Sequence, residues 1–144
     1  MKKALFYRLF GFGKIPVQLA RELEKENVKF IDEGLKGSVT YKGFRAPGKY
    51  SSWKRQWYIT SIALTSSRLV GLRGSNYIID VPLSDSRIKQ MTFTVEKGYT
   101  LVASFDAGLF HDDWSGLIEF RFRTELAESI KDELVKVQET QDIV

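Results

Sequence analysis

The chain has no cysteine, three prolines, two methionines and one histidine among 144 residues. Without cysteine there is no disulfide framework, no thiolate metal site and no thiol nucleophile. A lone histidine leaves little material for a zinc centre or a His-based acid–base pair. No run approaches the roughly 18–20 continuous apolar residues that a membrane-spanning helix needs. What is present is ordinary for a folded domain: 43% hydrophobic, 28% charged and 13% aromatic residues. The length suits one domain of the usual ~100–200 residues. A chain of this size buries about two-thirds of its unfolded surface without metal or disulfide support.

The formal net charge of +4 hides an uneven distribution. Residues 1–60 hold 13 Lys and Arg against 5 Asp and Glu, whereas residues 61–144 hold 9 against 13. The densest basic stretch runs from Lys36 to Arg55 and includes Lys42, Arg45, Lys49 and Lys54 with no acid among them. Such a run is a candidate anion-facing surface if its cations converge, because exposed charges are screened beyond about 8 Å. Otherwise it is a solubilising face.

The opening MKKALFYRLFGFGKIP looks superficially like a leader, but Arg8 interrupts its apolar run and no small-residue cleavage site follows. A cytoplasmic protein is expected, with peripheral membrane contact as the alternative. Leu5, Phe6, Leu9, Phe10 and Phe12 form either an interfacial anchor or a segment that packs on protein.

Periodicity supplies the elements. Ile15, Leu19, Ala20 and Leu23 follow Pro16 at helical spacing, predicting a helix that ends near Asn27. Phe30 to Glu33 reads as a short strand closing at Gly34. From Ser38 the period changes to two, with turns at Ala46-Pro47-Gly48-Lys49, Arg73-Gly74-Ser75-Asn76 and Glu96-Lys97-Gly98. Trp53, Trp57, Ile59, Ile62 and Leu64 are expected to face the core, with a bend near Thr60-Ser61. Further strands are read at 68–72, 77–81, 88–95, 99–105 and 116–123. Thr124 then caps a helix whose stripe is Leu126, Ile130, Leu134 and Val137, with Asp132 and Lys136 paired on its wet side.

Two stretches carry a resemblance. Ile62-Ala63-Leu64-Thr65-Ser66-Ser67-Arg68-Leu69-Val70-Gly71 resembles a recurrent strand–turn–strand pattern of the pleckstrin-homology-like superfamily, in its bacterial PH and GRAM-like members. Ile79-Asp80-Val81-Pro82-Leu83 through Ile88 is similar to the step that follows it in those domains. The resemblance covers roughly Val39 to Gln138. It implies a mainly β fold, a bent antiparallel sheet of about seven strands forming a small barrel, capped by the C-terminal amphipathic helix. An extra N-terminal helix precedes it. Residues 1–34 are then an apolar segment, helix and short strand packing on a domain of residues 35–144.

The resemblance implies a binding module rather than an enzyme. Protein–protein interaction or self-assembly is the leading expectation, with Phe10, Phe12, Phe110 and Trp114 as candidate anchors. The alternative is an anionic lipid headgroup or phosphate bound at Lys42, Arg45, Lys49, Lys54 and Arg55. Related domains place a Lys and then Lys/Arg-x-Arg across this hairpin, and here Gln56 stands where the second Arg belongs. His111-Asp112-Asp113 is read as a polar loop, so no catalytic residue, metal or cofactor is expected. Nucleic acid is not an expected partner, since no recognition motif accompanies the basic stretch.

Overall fold

The computed structural model describes residues 3–4 and 13–142. Helix α1 spans Val17–Lys25. Seven strands follow: β1 Val28–Ala46, β2 Lys49–Thr65, β3 Arg68–Arg73, β4 Asn76–Pro82, β5 Thr92–Glu96, β6 Thr100–Asp106 and β7 Ser115–Arg123. Short 3-10 helices occupy Ser86–Gln90 and Ala107–Leu109, and helix α2 spans Ala127–Asp142. The strands form one antiparallel sheet in the order β4-β3-β2-β1-β7-β6-β5, with β1 at its centre. The mainly β class and the flanking helices agree with expectation.

Closure into a barrel does not occur. β4 and β5 are the two edges of a bent, open sheet. The chain between them turns through a 3-10 helix, so it offers no strand edge for pairing. Ile88 therefore lies in that helix rather than in a strand, and β5 starts only at Thr92. Helix α2 fills the gap instead. Ala127, Ile130 and Leu134 are fully buried in the main core with Val39, Leu101 and Phe122, each large side chain contributing roughly 1.5–3 kcal/mol on burial. Gln138 donates from Nε2 to the carbonyls of Ile88 at 2.8 Å and Met91 at 2.7 Å, and Gln141 donates to that of Leu83. The linking segment thus finds in α2 the partners that a strand would have supplied. On the wet face Lys136 pairs with Glu133 at 3.8 Å, one residue closer in sequence than the expected Asp132.

β1 does not close at Gly34. It continues through a bulge where two residues, Glu33 and Gly34, face the single Ser61 on β2, and Gly34 supplies the φ of +69°. The expected bend near Thr60-Ser61 is this bulge, with the extra residue on β1. Alternation along β2 turns Ile62 and Leu64 into the main core and Ala63 to the outer face. There α1 covers it, with Ile15 just before the helix and Leu19 and Leu23 on it packing on Ala63, Val70 and Leu72. Ser61 donates to the carbonyl of Gly13 at 3.0 Å, and the cover stops near this point.

The Leu64-Thr65-x-x-Arg68 pattern has a structural task. Thr65 Oγ1 accepts the amides of Ser67 and Arg68 at 3.1 and 3.0 Å, closing the turn between β2 and β3. Arg68 forks onto Glu26 at 2.9 and 3.0 Å and reaches Asp80 at 3.2 Å, tying α1 to β3 and β4. The Arg68 guanidinium, hydrogen-bonded to Glu26, holds that carboxyl below its usual range.

Candidate functional site

Past the reach of α1, the outer face of β2 carries Trp53, Arg55 and Trp57. Both tryptophans were expected in the core, yet they are 58% and 71% exposed. Alternation assigns them to a face, but only the position of α1 decides that this part of the face is uncovered. The Arg55 guanidinium lies 5.3 Å from the Trp53 ring and 5.9 Å from the Trp57 ring. Cation–π attraction at that range contributes ~0.5–1 kcal/mol at an exposed position.

Register then builds the site across three strands. Thr40 on β1 faces Arg55 on β2 and Glu119 on β7, while Ser38 faces Trp57 and Arg121. The Thr40 hydroxyl is buried and accepts from two guanidiniums, Arg55 Nε at 2.8 Å and Arg121 Nη1 at 3.3 Å. Ser38, also buried, carries the one buried side-chain oxygen without a hydrogen-bond partner among the described residues. Arg121 is held further by Glu96 at 3.1 Å and Glu119 at 3.3 Å. Its guanidinium keeps the Glu96 carboxyl below the usual carboxylate range.

Beside this row opens a groove of about 820 Å³. Lys36, Arg55, Lys97, Arg121 and Arg123 line it against a single acid, Glu96, with Trp57 and Tyr99 as aromatic walls. Arg123 stacks on Tyr99 at 4.8 Å. The arrangement suits binding of an acidic, partly apolar surface. No group of three His, Cys, Asp or Glu among the described residues could hold a metal.

The basic candidates do not converge. Lys54 and Arg55 are neighbours on an extended strand and point to opposite faces. Lys54 pairs across from Tyr41 on the inner side, and Lys42 is engaged by Glu119 at 3.2 Å. Arg45 and Lys49 stay near the tip of the β1–β2 hairpin, around Tyr50 and a shallow hollow of about 530 Å³. Only Arg55 reaches the groove. Lys97, Tyr99, Arg121 and Arg123 were missed as site residues. The alternation of β7 placed both arginines on its polar side, but nothing local says that β7 pairs with β1.

Of the aromatic candidates, Phe10 and Phe12 lie outside the described residues. Phe110 and Trp114 meet on the inner side, at a cavity of about 400 Å³ by the open edge β4. Phe110 packs edge-on against Phe105 at 5.3 Å, and Trp114 does so against Phe44 at 5.3 Å. His111 stacks on Trp114 at 3.6 Å, leaving Asp112 and Asp113 exposed. No protein-family model matches the chain, and no similar curated protein is found.

Proposed function

We propose that the protein is a non-enzymatic binding module of the PH-like kind, whose outer sheet face docks acidic protein surfaces. The seven-strand meander with its C-terminal helix packed across the open side supports the PH-like reading. The observation that carries the binding role is the exposed Trp53–Arg55–Trp57 ladder beside a groove with five cations and one acid. Tryptophan and arginine are the residues most often found to dominate interface energetics. Large exposed aromatics grouped on one rigid face are costly to leave in water.

A complementary surface is present on the same chain. Residues 124–142 hold six acids against two lysines, and Glu128, Asp132 and Glu139 on α2 are exposed. Self-assembly is therefore the form of the proposal that purified protein tests. Sedimentation velocity of the full chain should show association that grows with protein concentration and weakens as salt rises. The double variant Arg55→Ala, Trp57→Ala should remain monomeric with an unchanged circular-dichroism spectrum. Wild-type protein that stays monomeric at every concentration and salt overturns self-assembly.

The second reading is anionic headgroup binding at the hairpin tip. It is supported by Arg45, Lys49 and a 63% exposed Tyr50 gathered there. Co-sedimentation with phosphatidylserine vesicles separates the two, since Lys49→Ala with Arg45→Ala should abolish only the vesicle binding.

A further inference from the structure

The inner cavity by β4 shares only Tyr58 with the groove and stands independently of the docking proposal. Its volume of about 400 Å³ lies within the roughly 300–1,000 Å³ of small-molecule sites. Its floor is buried and apolar, formed by Ile79, Phe105, Ile118 and Phe120. Tyr41, Tyr58, Phe110 and Trp114 stand around it. The ring pairs to Phe44 and Phe105 hold Trp114 and Phe110 in place, so the walls are largely pre-formed.

Charge at the mouth selects the ligand. Asp80 is balanced by Arg68 at 3.2 Å and Arg87 by Asp85 at 2.6 Å. Arg73 has no acid partner among the described residues. Its guanidinium lies 4.1 Å over the Tyr58 ring, and its N–H groups make no hydrogen bond among the described residues. Burial pushes the neighbouring Tyr58 phenol up, so it adds no negative charge beside Arg73, and its proton is donated to Gln56 at 3.2 Å. One unbalanced, planar cation above an aromatic hollow matches a single carboxylate on an apolar body.

We propose that this cavity binds an apolar monocarboxylic acid, with its hydrocarbon among the rings and its carboxylate on Arg73. The reporter is built in. Trp114 lines the cavity, whereas Trp53 and Trp57 lie on the opposite face of the sheet. Decanoate titrated into ¹⁵N-labelled full-length protein should shift the Trp114 indole signal saturably and leave the other two in place. Arg73→Ala should weaken decanoate by about tenfold or more, the scale of one lost charge-assisted bond. Decanol should bind the wild type more weakly than decanoate and the variant equally well. Arg73 is exposed, so the variant is expected to fold, and its thermal melt checks that. An unmoved Trp114 signal overturns the proposal, as does decanoate affinity that is indifferent to Arg73.

Discussion

Two buried hydroxyls on β1, two residues apart, have opposite roles. Thr40 anchors a pair of guanidiniums, while the Ser38 oxygen is buried without a partner among the described residues. Burying an unpaired hydroxyl costs about 1–3 kcal/mol. Ser38→Ala should therefore leave stability unchanged or raise it by up to ~1 kcal/mol in urea unfolding. Thr40→Val keeps the shape and removes the acceptor, so it should lower stability by about 1–2 kcal/mol. It should also loosen Arg55 between its tryptophans. A destabilised Ser38→Ala protein would show that the hydroxyl is paired in solution. Gly116 is constrained differently, by a φ of +102° and by the Gly43 carbonyl oxygen, which lies 2.4 Å from where a Cβ would sit. Gly116→Ala should lower the melting temperature markedly, because both the backbone angle and a backbone neighbour oppose it.

Among the elements, α2 does what a closing pair of strands would do in a barrel. Ile130→Ala removes a fully buried side chain from that plug and should cost about 2–5 kcal/mol. The loss should appear first as faster amide exchange in β5 and β6, which α2 touches. If β3 and β4 lose protection equally early, the plug is not a local clamp. The same elements show what could be read from sequence. Turns at Pro47-Gly48, Gly74-Ser75 and Lys97-Gly98 were legible because their backbone angles demand particular residues, and the helix stripes were legible from spacing. Trp53 and Trp57 were misplaced because hydrophobicity points inward, and only α1, packed one stretch further along β2, determines which part of the outer face stays bare. Of the groove, the sequence offered Lys36 and Arg55. Arg121 joins them from more than sixty residues away through a strand pairing that no local pattern announces.

Across the whole molecule, carboxylates held by arginines set the response to acid. Glu26 and Glu96 are hydrogen-bonded to Arg68 and Arg121, which lowers both below their ordinary value of 4.5. A lowered folded value means that the unfolded chain takes up protons first. Their contribution is therefore full above that ordinary value and is lost as pH falls through the folded one. Urea midpoints should hold steady near neutrality and decline below about pH 4.5. Glu26→Gln should flatten part of that decline while lowering the plateau, and an unchanged slope would remove Glu26 from the account.

The central place of β1 also has a consequence in time. Its edge toward β2 can be paired as soon as the next strand is made, but the edge toward β7 waits about sixty residues longer. At ~5–20 residues per second on the ribosome, that is a delay of about 3–12 s. For that interval the nascent chain carries a half-finished sheet with an open, hydrogen-bonding edge, and translation speed and chaperone cover decide whether β7 or a neighbouring chain reaches it first.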